Sequence, residues 1–381
     1  MEHHDCATYP AALPARPQPK TTGGVLGREA FVNRRDLLKI VGLTAVSGAG
    51  ISLTSGCGSL LGKQRTNALV FVSDGGEYQA AQRDSWITPF SRSRPDLNVV
   101  EDVPKSYARL QAMVSSENVM WDLMTATGDF GYGVDRDYLV DFAGRDLPLD
   151  QLHPEYVGES RVGHAVFSNV LAYRTDLLGG KTPQGWADFF DLDRFPGRRG
   201  LRNFSAGAVM EIALIADGVD PHDLYPLDYN RAFAKLDTIK DHTVFWTSGA
   251  QSAQLISDGE VSMTQIWNGR VYNLQKQGAP IAIQWNQQFP QADALVVPRG
   301  ANVDYAMDLA RYILAPENNA KLSQYIPYGP TNRESLSLVE SAMRDHLPTS
   351  YMDLAIAFDN IWLNQNRDEV DSRWQSWVRA A

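Results

Sequence analysis

Ala68-Leu69-Val70-Phe71-Val72-Ser73-Asp74-Gly75-Gly76-Glu77-Tyr78 is the stretch that decides the fold. Five apolar residues without a polar break read as a strand buried on both faces, and Ser-Asp-Gly-Gly ends it in a loop. Downstream, residues 77–90 bring Ala81, Trp86 and Phe90 to near-helical spacing, which predicts a helix packed behind that strand. Residues 97–100 read as a second strand, and residues 107–114 as a helix through Leu110 and Met113. Residues 121–125 read as a third strand, ending in a loop that holds Thr127, Gly128 and Asp129. This β-α-β-α order predicts an α/β fold, an open parallel sheet with helices on both faces. Ligands bind at the carboxyl ends of such strands, so the loops 73–78 and 126–130 are the first expected site walls.

A second unit begins near Val166. Residues 166–173, 261–266 and 281–285 read as strands, and residues 186–190, 209–216, 231–239 and 251–256 as helices. Residues 294–297 read as a strand leading back to the first unit, followed by helices over 306–314 and 319–325. A chain of 381 residues, 44% hydrophobic and 21% charged, has room for two cored domains. Its net charge of −10 and the absence of a long basic run give no reason to expect nucleic-acid binding. No Gly-x-Ser-x-Gly elbow, Gly-x-x-x-x-Gly-Lys phosphate loop or Gly-x-Gly-x-x-Gly fingerprint occurs, and no nucleophile is marked with a base, so no enzyme and no cofactor are expected. His153, His164, His222, His242 and His346 have no zinc-ligand spacing. Tyr325 and Tyr328 are the nearest approach to a ferric-ion tyrosine pair, with Pro327 between them marking a turn.

The N-terminus carries its own signal. Residues 1–30 are rich in Pro, Ala, Thr and Gly and read as a disordered leader. Asn33-Arg34-Arg35-Asp36-Leu37-Leu38-Lys39 then precedes an uncharged, moderately apolar stretch ending at Leu53-Thr54-Ser55-Gly56-Cys57. A twin-Arg pair, a weak apolar region and small residues before Cys read as a twin-arginine export signal over 1–56, with Cys57 as the lipidation site. A transmembrane anchor is the alternative, and the Gly, Ser and Thr content argues against it. The box is imperfect, since Thr54 occupies the position three before Cys57 and Leu53 sits one further back. Cys6 lies in the leader, so the mature chain would hold no cysteine but Cys57 and no disulfide. Six basic and four acidic residues in 1–56 take +2 from the total, leaving −12 after cleavage. Residues 57–66 read as a tether.

Several segments together resemble the spermidine/putrescine-type branch of the extracellular solute-binding proteins. They are Gly75-Gly76-Glu77-Tyr78, Trp121-Asp122, Asn169-Val170-Leu171-Ala172-Tyr173-Arg174 and Phe195-Pro196-Gly197-Arg198-Arg199. Further on come Glu211-Ile212-Ala213-Leu214, Tyr225-Pro226-Leu227-Asp228, Ser248-Gly249-Ala250-Gln251, Trp267-Asn268-Gly269-Arg270 and Tyr328-Gly329-Pro330-Thr331-Asn332. The resemblance runs over residues 67–370. It implies the two-lobed, type II periplasmic-binding-protein fold, with a ligand cleft between lobes that close by a hinge. Lobe one is expected over 67–165 plus 293–328, and lobe two over 166–292 plus 329–381. The implied role is a monomeric receptor of an ABC importer, exported to the periplasm or cell surface, lipid-anchored and handing its solute to permease subunits.

The solute is read from a few positions. Trp267-Asn268-Gly269-Arg270 follows a strand, so Arg270 is expected in the cleft, where a guanidinium matches a carboxylate. Trp267 would flank an aliphatic chain or stack on an ammonium. A structural Arg paired with an Asp and a core Trp are the alternatives. Asp293 aligns with the carboxylate that pairs with a ligand amine in the polyamine-binding relatives; otherwise it is a solvated edge residue. Those relatives also carry acids where this chain has Asn203-Phe204-Ser205-Ala206-Gly207-Ala208, which holds none. A dication would leave one charge unpaired, so a solute with one amine and one carboxylate is favoured, as in the family's γ-aminobutyrate-like ω-amino acid binders. Tyr78, Thr127, Asp129 and Ser205 would complete the shell. Polyamine binding is the alternative; ferric-ion binding and an exported enzyme are less favoured. Replacing Arg34-Arg35 by Lys-Lys is expected to block translocation, because the twin-arginine pathway reads the guanidinium pair; normal export of that variant in a fractionation assay would refute the signal, and a mature mass without lipid would refute the anchor at Cys57.

Overall fold

Leu69 and Phe71 face one hydrophobic core while Val70 and Val72 face another, as the two-residue period of a strand covered on both sides requires. The computed structural model describes residues 67–204 and 207–380; the export signal, Cys57, the tether and Ser205 lie outside these. Eight strands form one sheet. They are β1 (Ala68–Val72), β2 (Asn98–Asp102), β3 (Leu123–Ala126), β4 (Val162–Arg174), β5 (Arg199–Arg202), β6 (Thr243–Trp246), β7 (Met263–Trp267) and β8 (Ile281–Val296), in the order β2-β1-β3-β8-β4-β7-β5-β6. β1 runs parallel to β2 and β3, and β5 runs parallel to β6 and β7. These parallel groups flank the antiparallel pair β4–β8.

The strands expected over 281–285 and 294–297 are one strand of 16 residues. It was hidden because residues 285–288 stand against Val170 alone, between the pairs Asn169↔Phe289 and Leu171↔Gln284. That bulge is not loose: Gln287 accepts from Trp186 twice, its side-chain Oε1 from the backbone N at 2.9 Å and its carbonyl from Nε1 at 2.8 Å. On one side of the seam, Leu69, Phe71, Trp86, Leu123, Leu309 and Ile313 build a core over β1–β3. On the other side, Leu171, Trp186, Phe189, Ile212, Leu236 and Trp374 build a second large core.

Most expected helices form close to their expected bounds, including Trp186–Phe190 and Val209–Ala216. The helix expected over 77–90 is interrupted: Gly76–Gln82 gives way to a wider turn at Arg83–Ile87 before Thr88–Ser93. The helix expected over 319–325 is a short 3₁₀ segment, Ala320–Gln324. The C-terminal helix Arg367–Arg379 sets Val370, Trp374 and Trp377 into the second core. Among the described residues, no helix is long and apolar enough to cross a membrane.

The helix Val209–Ala216 buries a carboxyl. Glu211 is 1% exposed, and its Oε1 accepts from the Tyr225 hydroxyl at 2.9 Å. Burial pushes its pKa up to about 7 from 4.5, against the smaller pull of its hydrogen bonds. A carboxyl whose folded pKa lies above its unfolded value takes up a proton on folding. Below pH 4.5 it is protonated in both states and costs nothing; the folded state is progressively penalised as pH rises from there through 7. At about 1.4 kcal/mol per unit, the loss is on the order of 3 kcal/mol. Thermal unfolding of wild type and Glu211→Gln between pH 4.5 and 8 is expected to show a midpoint that falls more steeply with pH in the wild type than in the variant. Parallel curves would rule out a buried, titrating Glu211.

Candidate functional site

The carboxyl ends of both parallel groups open on one cleft of about 730 Å³. From the first group come Asp74 and Tyr78 beyond β1, Lys105 beyond β2 and Thr127 beyond β3. Gly75 and Gly76, at φ 84° and 62°, make the turn that aims Tyr78 inward. β8 brings Asp293, 4% exposed and paired with Ala165 of β4, to the end of β3, where Ala294 pairs with Ala126. From the second group come Arg202, the last residue of β5, Trp267, the last of β7, and Arg270 in the helix Asn268–Lys276.

At the first wall the polar groups form a relay. Lys105 Nζ pairs with Asp74 Oδ2 at 2.8 Å and donates to Thr127 Oγ1 at 2.7 Å. Thr127 Oγ1 in turn donates to Asp293 Oδ1. Burial alone would pull the lysine's pKa down, but Asp293, Tyr107 and Asp74 outweigh it and hold the pKa above the usual lysine value. Burial, reinforced by Asp293, pushes the Tyr78 phenol well above its usual range, so it stays a neutral hydroxyl. Its oxygen lies 3.1 Å from His164 Nε2. Burial, with Lys105 adding to it, lowers His164 to about 3, so that ring is neutral.

The opposite wall is cationic. The Arg202 guanidinium lies 5.1 Å from the Trp267 ring centre and 4.8 Å from that of Phe204, and burial lowers its pKa to about 10, still charged at neutral pH. An aromatic floor joins the walls. Tyr78 and Tyr328 have ring centres 5.5 Å apart, Tyr328 and Phe167 5.5 Å, and Phe167 and Trp267 6.4 Å. Asn268 anchors this floor by accepting from Ser168 N at 3.0 Å and donating to the Pro327 carbonyl at 2.6 Å. Gly269 packs closely under this floor, since a Cβ there would lie 3.1 Å from the Tyr328 ring. At the cleft mouth, Asn273 Nδ2 donates across to Glu77 Oε2 at 3.3 Å.

Of the positions read from sequence, Tyr78, Thr127, Trp267, Arg270 and Asp293 line this one cleft. Asp129 is not among its lining residues: its carboxylate pairs with Arg367 at 2.7 Å. Sequence reasoning passed over Lys105, Arg202, Phe167 and Tyr328. Lys105 reads as a solvated loop lysine, and Arg202 ends a strand, Arg199–Arg202, with no apolar run to reveal it. From sequence Tyr328 stands out as half of a candidate iron pair and as part of a family motif, not as a cleft residue; Tyr325 is 49% exposed while Tyr328 lines the cleft. Among the described residues, no three His, Cys, Asp or Glu side chains are grouped to hold a metal ion.

The model of the bacterial extracellular solute-binding proteins matches residues 95–349. The gamma-aminobutyric acid-binding protein of Pseudomonas aeruginosa is 33% identical over 325 residues, 82% of this chain and 92% of that protein. Spermidine/putrescine-binding periplasmic protein 1 of Haemophilus influenzae is 27% identical over 203 residues, 52% of this chain and 55% of its own length. A solved GABA receptor superposes with a TM-score of 0.77 at 36% identity, covering 82% of this chain and 97% of its own. These relatives are solute-binding receptors rather than enzymes. A cleft walled by strand ends from two cores, a family match over most of the described chain and relatives that align nearly end to end agree: the chain belongs to the bacterial extracellular solute-binding proteins and is a receptor of the ABC-import type.

Proposed function

We propose that this receptor captures a small ω-amino acid such as γ-aminobutyrate by lobe closure and delivers it to an ABC permease. The observation that carries this reading is the separation of charge along the cleft. Arg202 and Arg270 lie at one end and Asp293 at the other, with Tyr328, Phe167 and Trp267 between. The solute carboxylate would lie on Arg270 and its ammonium on Asp293, with Tyr78 and Thr127 around the amine and the methylene chain over the aromatic floor. The charged lining residues balance, Asp74, Glu77 and Asp293 against Lys105, Arg202 and Arg270. A net-neutral solute keeps that balance, whereas a diamine would bury an ammonium toward two guanidinium groups. The same reading takes 67–165 plus 293–328 as one closing lobe and 166–292 plus 329–381 as the other. It also takes 1–56 as a twin-arginine lipoprotein signal and Cys57 as the lipid anchor of a monomer on the tether 57–66, in keeping with relatives named as periplasmic.

Isothermal titration of wild type, Arg270→Ala and Asp293→Asn against γ-aminobutyrate and putrescine tests the solute. Wild type is expected to bind γ-aminobutyrate. Arg270→Ala should abolish that binding, since the carboxylate would be buried without its partner. Asp293→Asn should cost about 1.5–3 kcal/mol, roughly one to two decades in affinity. Tight putrescine binding by the wild type, with no response to γ-aminobutyrate, would make the receptor a polyamine binder.

A further inference from the structure

Building on the ω-amino acid reading, we propose that Lys105 is a specificity-determining residue, a resident ammonium that fills the acidic end of the cleft and excludes diamines. The acidic end holds two carboxylates within one hydrogen-bonded chain, Asp74 and Asp293. Two carboxylates facing one cavity carry charge enough for two ammonium groups. Here one of those places is already taken: Lys105 Nζ pairs with Asp74 at 2.8 Å and reaches Asp293 through the Thr127 hydroxyl, 2.7 Å away.

The lysine is built in rather than draped over the surface. Its side chain is 11% exposed, against 46% for Asp74. It follows Pro104 directly, and Ser106 behind it caps the helix Tyr107–Ser115 by accepting from Arg109 N at 3.2 Å. The backbone on both sides is therefore constrained, and the ammonium is presented at a set depth. With Lys105 in place the corner carries a net charge of −1 and accepts one solute amine. The second amine of a diamine would then face either Lys105 or the pair Arg202 and Arg270. Removing Lys105 raises the corner to −2 and opens the space its Nζ occupies.

A merely structural lysine makes a different prediction. Lost support for Thr127 and Asp293 would weaken every amine ligand together. The specificity role requires opposite movements, so the ratio of affinities is the readout. Titrating wild type, Lys105→Met and Lys105→Gln with putrescine and γ-aminobutyrate decides it; the Gln variant retains a donor for Thr127 and guards against a Met variant that fails to fold. Putrescine binding is expected to strengthen at least about tenfold in the variants, one decade being about 1.4 kcal/mol, while γ-aminobutyrate binding stays level or weakens. Equal loss for both ligands, no change in the ratio in a folded variant, or tight putrescine binding by the wild type would overturn the proposal. If the wild type binds neither ligand but the variants gain putrescine, the role of Lys105 stands and the ω-amino acid reading falls; wild-type γ-aminobutyrate binding with an unchanged ratio gives the reverse.

Discussion

The antiparallel ladder between β4 and β8, from Val162↔Leu295 to Arg174↔Ile281, is shared by both halves of the molecule. Twelve of the 13 residues of β4 are buried, so its backbone groups must find partners inside the protein. They do so on several sides: β8 on one, β7 on the other, Gly329 bonded in both directions to Val166 at 2.7 Å, and Asn268 Oδ1 on Ser168 N. Because β8 continues through the seam, Asp293 arrives at the end of β3 in a fixed register. Because β4 continues the other way, Asn169 opposes Trp267, and the helix carrying Arg270 starts there. A slip of one residue would turn Asp293 out of the cleft and an apolar neighbour in. The register breaks fall at Gly163/Ala165, beside residues of the first core, and at Asn169/Leu171, beside residues of the second, the places where an otherwise continuous ladder bends most readily.

On that ladder the cleft solves an electrostatic problem before any solute arrives. A lone carboxylate as buried as Asp293 would be costly, and so would a lone ammonium as buried as Lys105. Joined through Thr127, each offsets the other, and Asp74 adds a partially exposed counter-charge. The hydroxyl of Tyr78 is held neutral beside them, able to donate without adding charge. Hydrogen bonds already in place do not have to be formed when the solute binds, so less ordering is charged against affinity. The cationic wall is arranged differently: Arg202 rests on aromatic faces, where a guanidinium keeps its charge.

The first parallel group was legible because β1 is an apolar run closed by turn residues and β3 follows the same pattern, and strand ends then locate that wall of the cleft without further information. Tyr78, Thr127, Trp267 and Arg270 follow strand ends and were reachable in this way, whereas Asp293 came from the resemblance to the polyamine-binding relatives. β5 was not. Its sequence is Arg-Gly-Leu-Arg, and Arg199 is fully buried. That guanidinium is satisfied by the carbonyls of Phe189 at 2.6 Å, Gly197 at 2.6 Å and Phe195 at 2.5 Å, partners spread over the end of the helix Trp186–Phe190 and the loop after it, which no local pattern announces. With β5 unseen, Arg202 at its end was unseen too. Lys105 was missed for a related reason: what sets it apart from a surface loop lysine is its own burial beside Asp74 and Asp293, and these come from 31 residues before it and 188 after.

Asp129 shows how a residue near a site can serve it from outside. Its carboxylate accepts from Arg367, which also pairs with Asp135 at 2.9 Å, and Asn364 donates to both the Asp129 carbonyl and the Asp135 carboxylate. From the other side Arg161, 4% exposed, donates to the carbonyls of Gly128 and Phe130 at 2.6 Å each. The four residues after Ala126 are thus gripped by two guanidinium groups from distant parts of the chain. Phe130 adds a third restraint by stacking on Tyr107 at 3.9 Å, and the Tyr107 hydroxyl accepts from Thr127 N at 2.9 Å. A threonine hydroxyl can pass a hydrogen bond from Lys105 to Asp293 only if its backbone is held to within a few tenths of an ångström, since such bonds weaken steeply with distance and angle. The loop has little freedom left to lose. The selectivity of the acidic end therefore depends on residues as remote as Arg161 and Arg367, which line no part of the cleft and carry their effect through the position of one hydroxyl.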